Sequence, residues 1–298
     1  MHNWKSKRVL LRYLCCFLIV LLVPMLLLCG YFIHSLNTLL ARQTMEMKSA
    51  AFREELGQTF GLLDNIFVRA NQMSVSDNFG RYRLLNPIQY GKEIIGELNA
   101  SQKICAAADA VYLYSDSLEY VYSDTSTYTS KRFVRHLAEQ GLAEQDFDRT
   151  IRQADMSNGH AVYTDRSIWL FFHFPTHALT SDLYLLFECN PARLNPKAPS
   201  GQPPAQSGYG IYKDGSTRYF YGDSNFDAAD AVIKKMLSAS PDCDSLLSCT
   251  FTDNGQIYDL FTACYPATGF YYYSVSPQDS IVSLVTQNQK LTYLVIFC

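Results

Sequence analysis

The sequence predicts an α+β protein with an N-terminal transmembrane helix, a long stalk helix, two tandem antiparallel-sheet modules and the start of a second transmembrane helix. Three observations predict it. Tyr13 to Ile33 form an uncharged run, YLCCFLIVLLVPMLLLCGYFI, and the last eight residues, LTYLVIFC, open what reads as another. Between them apolar residues recur first at steps of three and four, then at steps of two. The switch from helix to strand then happens a second time beyond a Pro-rich stretch.

At about 1.5 Å per residue the first run makes a helix roughly 31 Å long, the thickness of a bilayer's hydrocarbon core. A signal peptide has a shorter apolar core and a small-residue cleavage site, whereas this run leads into HSLNTLLARQ, which offers none. Pro24 lies mid-span, where a membrane helix tolerates it. Lys5, Lys7, Arg8 and Arg12 crowd the N-terminal side, so the N-terminus is expected in the cytoplasm and residues 34–290 outside the cell membrane. The terminal eight residues would rise only about 12 Å. They are expected to be a truncated span whose continuation carries the output.

The formal charge is −3, and the four basic residues of the tail leave −7 on the remainder. That argues against a nucleic-acid-binding surface here, which would be expected to show a basic patch. With 48% hydrophobic residues, 18 Phe and 21 Tyr, the exterior part can build a core rather than stay disordered. At about 255 residues it exceeds the commonest domain size, which favours two domains. Of the nine cysteines, Cys105, Cys189, Cys243, Cys249 and Cys264 lie in the exterior part without regular spacing. Cys243 and Cys249 are close enough to pair, and free buried thiols fit the same context.

Ser35 to Met73 reads as one helix with Phe52, Leu56, Phe60, Leu63, Phe67 and Ala70 on one stripe. The stripe faces a core, and Met45, Met47 and Phe52 could extend it into dimer contacts. Pro87 to Ala106 reads as a second helix. Ala110–Tyr114 and Glu119–Ser123 form a hairpin around a turn at 115–118. Lys131 to Gln140 is helical, and strands follow at His160–Tyr163, Ser167–Phe174 and Asp182–Glu188. In the second of these, Trp169, Phe171 and His173 alternate with Leu170, Phe172 and Phe174. One set is expected to face the helices and the other to face away.

Asn190 to Gly208 holds five prolines and no apolar period, so it is a connection. Beyond it, Asp214-Gly215 joins strands at 210–213 and 216–221, and Asn254-Gly255 joins strands at 247–252 and 256–264. Both dipeptides suit a type I′ turn, which needs positive φ at its two central residues. Phe226 to Ala239 is helical and Gly269 to Val275 closes the sheet. Ser276 to Gln289 reads as an exit helix.

Two such modules between membrane helices, the first introduced by a long helix, resemble a double Cache domain, whose modules are PAS-like. KSKRVLLRYLCCFLIVLLVPMLLLCGYF, LLDNIFVRANQMSVSDNF and VYLYSDSLEYVYSDTSTYTSKRF are similar to the sensor halves of membrane-anchored AraC-type transcriptional regulators of Gram-positive bacteria. The resemblance spans essentially the whole chain. It implies a tail at 1–12, a transmembrane helix at 13–33, and a stalk with membrane-distal module at 34–189. The Pro-rich connection is 190–208, the membrane-proximal module 209–290, and the second span starts at 291–298. It also implies a homodimer and a helix-turn-helix domain beyond this chain, through which alone DNA would be a partner. Sensor histidine kinases and chemoreceptors share the architecture.

In tandem Cache sensors the ligand usually sits in the membrane-distal module, which implies Tyr122, Asp124, Tyr128, Arg132 and Trp169 as ligand-binding residues here. The rings alone would equally serve as core. The amino-acid-binding subgroup carries an Arg-x-Trp-Tyr phrase where this chain has Thr125-Ser126-Thr127-Tyr128, which speaks against an amino-acid ligand. His173 and His177 in HFPTH lack companion ligands, so no metal site is expected. No nucleophile elbow or phosphate loop occurs. The chain is therefore expected to be no enzyme and to use no cofactor. It should act as the extracytoplasmic sensing region of a signal-transducing receptor, whose exterior partner is a small-molecule ligand or a protein presenting one. A kinase or chemoreceptor input domain is the alternative, and a non-sensing membrane-anchored surface protein is the alternative of another class.

Overall fold

The computed structural model describes residues 3–75, 87–115, 119–153, 159–164, 166–174, 183–194, 208–222, 227–239 and 246–278. Helix α1 runs Asn3–Val75 with Pro24 inside it. The chain divides within this helix, at Ala51, into two units. In the first, Phe17, Leu22, Leu28 and Phe32 are exposed, and this stretch is long and apolar enough to cross a membrane. So continuous an apolar surface suits lipid rather than water.

The second unit, Phe52–Pro277, is built on the rest of α1. The expected stripe is core: Phe52, Leu56, Leu63 and Ala70 are buried, with Ile66 and Met73 extending it. Helix α2 is Pro87–Ile104. Strands β1 (Ala108–Ser115), β2 (Tyr120–Ser123), β3 (Thr127–Thr129), β4 (His160–Tyr163), β5 (Ile168–Phe174) and β6 (Leu183–Cys189) form one antiparallel sheet in the order β3-β2-β1-β6-β5-β4. Helices α3 (Ser130–Glu139) and α4 (Glu144–Gln153) lie against it. The sequence reading missed β3 and α4. The first is three residues at a sheet edge, and the second offers only Phe147 and Ile151 as apolar anchors.

The expectation that one face of β5 turns away from helices is corrected. Trp169 and Phe171 pack with Phe133 and Leu137 of α3 and Phe147 and Ile151 of α4. On the opposite face Phe172 meets Phe67 of α1 edge-on at 5.1 Å. A sheet covered on both sides explains why β5 and β6 read as near-continuous apolar runs.

Strands β7 (Gly208–Lys213), β8 (Ser216–Gly222), β9 (Leu247–Asp253), β10 (Gln256–Tyr265) and β11 (Phe270–Pro277) make a five-stranded antiparallel sheet, ordered β8-β7-β11-β10-β9. Both hairpin turns have the required geometry, with φ of 54° and 87° at Asp214 and Gly215 and 50° and 81° at Asn254 and Gly255. Helix α5 (Asp227–Ala239) covers one face through Ala229 and Ile233. The other face meets α1: Phe52 lies 5.7 Å from Phe261, and Tyr272 donates to Glu55 at 2.8 Å. The exit helix does not start at Ser276, because Ser276 and Pro277 complete β11. Its remainder and the second span lie outside the described residues, as does most of the Pro-rich connection, which opens with a 3-10 turn at Pro191–Leu194. Cys249 keeps a free thiol, so it is not paired with Cys243, while Cys264 is disulfide-bonded.

Leu63 is fully buried where α1 meets the sheets. Leu63→Ala should lower unfolding stability by about 3 kcal/mol, whereas Val68→Ala on the exposed side of the same helix should change it by under about 1 kcal/mol. Chemical denaturation of the two variants checks this.

Candidate functional site

Residues directly opposite in neighbouring antiparallel strands project to the same face. Ala110 of β1, Glu188 of β6, Trp169 of β5 and Val162 of β4 form one such row across the six-stranded sheet. Tyr112, Leu186 and Phe171 form the next. Both rows lie beneath α3 and α4. Among the residues named in these two rows, Glu188 carries the one carboxylate.

Glu188 is 8% exposed, and a carboxylate so placed must be hydrogen-bonded. Tyr112 donates its hydroxyl hydrogen to Oε2 at 3.2 Å, and Ser167 donates to Oε1 at 3.1 Å. His136 Nε2, from α3, lies 3.2 Å from the Tyr112 hydroxyl oxygen, so a tautomer protonated there extends the chain of bonds. Trp169 is fully buried beside this group, and its indole N–H finds no acceptor among the described residues. Toward solvent, half-buried Tyr128 stacks on His136 at 6.1 Å, and the exposed Arg132 guanidinium sits 5.6 Å from the Tyr128 ring centroid. The arrangement brings together a buried carboxylate, aromatic side chains and an exposed cation, the kinds of side chain by which small polar molecules are held.

Burial is the main electrostatic influence. It pushes the Glu188 carboxyl above its ordinary range, and the bonds from Ser167 and Tyr112 and the charge of His136 oppose it only in part. Burial and the neighbouring Glu188 carboxylate keep the Tyr112 phenol protonated far above its usual range.

Three of the five residues implied by sequence come together. Trp169 and Tyr128 flank Tyr112, at 5.7 and 6.4 Å between ring centroids, and Arg132 caps Tyr128. The structure does not bring the other two to this face. Val121 packs under α3, so its neighbour Tyr122 points the opposite way, toward Gly91 of α2. Asp124 is fixed locally: its N–H donates to Val111 O at 3.0 Å, its Oδ1 accepts from Val111 N–H at 3.5 Å, and Asn99 donates to its carbonyl at 3.3 Å. Burial raises the Asp124 carboxyl, as it does that of Glu188. Glu188, Ser167 and His136 were not picked out from sequence. A lone acid in LYLLFEC was the available signal.

A separate cavity of about 270 Å³ lies among α4, β4 and the β7–β8 turn. Its charges are already paired. Arg149 holds Asp146 at 2.6 Å, Arg218 lies 3.8 Å from Asp214, and Lys213 donates to the carbonyls of Thr268 and Gly269.

A carboxyl raised by folding contributes stability that is complete below its ordinary value of 4.5 and is lost as pH rises through the folded value. Glu188→Gln removes that loss. The stability of the variant relative to wild type should therefore increase from pH 4.5 toward neutrality, as read by denaturation at a series of pH values. A difference that is flat with pH would show that Glu188 is not held in its protonated form by folding.

No protein-family model matches the chain, and no curated protein matches it in sequence. Solved structures do match in fold. The extracellular domain of a protein described as a histidine kinase, rpHK1S-Z16, superposes with a TM-score of 0.51 at 10% identity, covering 82% of this chain and 98% of that one. A second such domain, vpHK1S-Z8, gives 0.52 at 8% identity over 82% and 98%. The periplasmic sensory domain of the Campylobacter jejuni chemoreceptor Tlp1 gives 0.52 at 10% identity over 81% and 97%. The α+β fold with its long N-terminal helix and antiparallel sheets is thus the one that these sensory domains share.

Proposed function

We propose that this chain is the extracytoplasmic ligand-sensing region of a transmembrane signal-transducing receptor. The observation that carries the reading is the Glu188 cluster, a buried carboxylate with an unpartnered indole N–H inside aromatic walls. A pure core would have little reason to keep a lone acid at its centre. The sensory domains that share the fold support the same reading. Tyr128, Arg132 and Trp169 would bind the ligand together with Tyr112, Ser167 and Glu188, and Tyr122 and Asp124 would brace the strands behind them. The protein would act by binding and not by turnover.

In this reading α1 anchors the chain with its N-terminus inside and residues 34–290 outside, arranged as modules at 34–189 and 209–290. The receptor is a homodimer. Ligand must bind two states of the site unequally, or it would shift nothing. Two outputs have support. The short phrases around the first span and the β1–β2 hairpin favour an AraC-type regulator, whose helix-turn-helix domain would lie beyond this chain. The shared fold serves a histidine kinase or chemoreceptor at least as well. The contiguous genomic sequence separates them: paired helix-turn-helix units, or a phospho-accepting histidine or methyl-accepting coil.

Ligand binding is tested on the full chain in detergent against a panel of small polar metabolites. Saturation near 100 Kd should raise Tm by roughly 5–10 °C. Trp169→Phe and Ser167→Ala should keep most of the unliganded Tm and lose that increment. A panel that leaves wild type unmoved, or variants that respond like wild type, would overturn the site. Orientation is tested by a cysteine placed in 196–204 of intact cells. A membrane-impermeant reagent should label it, and protection would reverse the topology.

A further inference from the structure

We propose that Tyr219, a residue of the five-stranded sheet, is a positioning residue for the Glu188 site on the six-stranded sheet and acts through Ser167. Tyr219 is 7% exposed, and its hydroxyl is shared between the carbonyls of Thr164, at short distance, and Ser167, at 2.6 Å. Those carbonyls belong to the connection between β4 and β5. That connection is closed on itself: Thr164 N–H and Oγ1 donate to Ser167 O at 3.0 and 3.1 Å, and Ser167 N–H donates to Thr164 Oγ1 at 3.1 Å. A closed turn moves as one piece. Ser167 Oγ, at the end of this turn, is the donor to Glu188 Oε1.

Tyr219 is itself firmly founded. It pairs with Ile211, and a Cβ added at the adjacent Gly210 would lie 2.5 Å from Tyr219 O and 2.6 Å from Tyr273 Oη, so the strands there approach too closely to slide. Two residues earlier, Thr217 donates its N–H to Asp230 of α5 at 3.2 Å and meets Tyr273 Oη at 2.9 Å. The serine that fixes the carboxylate is thus held by the other sheet. Coupling of this kind is reciprocal, so a ligand that draws Ser167 or Glu188 must also load Tyr219. The proposal rests on the reading of the Glu188 cluster as the sensing site, and it names how that site is regulated.

The test needs no ligand, so its failure leaves the ligand-binding reading intact, and a failed ligand panel leaves this result intact. The full chain in nanodiscs is labelled with 13C at glutamate carboxyls, and Glu188 is assigned by its loss in Glu188→Gln. The groups acting on it are Tyr112 and Asp109 of β1, Ser167 and His136 of α3. Ser167→Ala removes a donor and should raise the Glu188 titration midpoint. Tyr219→Phe should raise it by about half or more of that shift, and the double variant should show no further rise. Thr217→Ala, which removes the hydroxyl's bonds to Asp230 of α5 and to Tyr273 but none to the connection between β4 and β5, should leave it in place. An unchanged midpoint in Tyr219→Phe, or additive shifts in the double variant, would overturn the proposal. Should Tyr219→Phe fail to fold, Glu188→Gln reads the link from the other end. Amide exchange should change across 208–222 and not across 247–253, and no change at 208–222 is equally fatal.

Discussion

Both sheets of the second unit are docked on one face of one helix, and most of the architecture follows from that. Between Phe52 and Met73, α1 presents apolar side chains at steps of three and four, and within the same face it carries Glu55, Thr59 and, at the margin, Asp64. Each polar group has a partner from elsewhere. Tyr272 donates to Glu55 and Tyr265 to Asp64, both at 2.8 Å, and Thr59 donates to Leu194 O at 2.8 Å. Leaving the buried Glu55 or Thr59 unpaired would cost about 1–3 kcal/mol, so these contacts help fix where the five-stranded sheet and the Pro191–Leu194 turn sit along the helix. Burial and the facing carboxylates hold both phenols protonated well above the usual tyrosine range, so the donors persist at any physiological pH.

A helix that occupies one face of each sheet leaves the other face for different work. On the five-stranded sheet that face closes over α5 in an apolar cluster. On the six-stranded sheet it is closed by two short helices with a polar group inside. Under α5 the sheet contributes Leu260 and Val275, with Thr217 bonded to Asp230 of the helix, whereas under α3 and α4 the acid, Glu188, comes from the sheet itself. Short amphipathic helices held by a few aromatic contacts are easier to displace than a helix docked along its length. A site beneath α3 and α4 is therefore placed where the fold can give.

The elements that sequence made legible are those set by local rules. Asp214-Gly215 and Asn254-Gly255 adopt positive φ because only such residues enter a type I′ turn without strain. The α1 stripe is legible because long helices repeat their pattern often enough to exceed noise. What sequence could not supply was relative register between strands distant in the chain. Alternation shows that Tyr122 and Val121 point opposite ways, but not which of them shares a face with Trp169. That depends on β1 pairing with both β2 and β6, and on β6 pairing with β5. Tyr122 is set apart from Trp169 for this reason. Glu188 was passed over because a single acid in an apolar strand gains meaning only once its cross-strand neighbour is known to be Trp169.

Among the described residues the Glu188 cluster is satisfied on its acid and not on its indole, and that asymmetry bears on switching. Two neutral hydroxyl donors hold the carboxylate, yet desolvation still favours its protonated form. One added partner acts strongly on such a group, because a single pKa unit corresponds to about 1.4 kcal/mol. An incoming ligand that accepts from Trp169 Nε1 or donates to Glu188 would be repaid in a setting where water no longer competes. Moving a two-state equilibrium from minor to major occupancy takes about 5.5 kcal/mol of differential binding. A few such hydrogen bonds, each stronger in a dry site than in water, are of that order. On the proposed reading the site would need no large conformational store to act as a switch; it would need a state in which Ser167 and Glu188 part, and the contact with Tyr219 would set how readily they do.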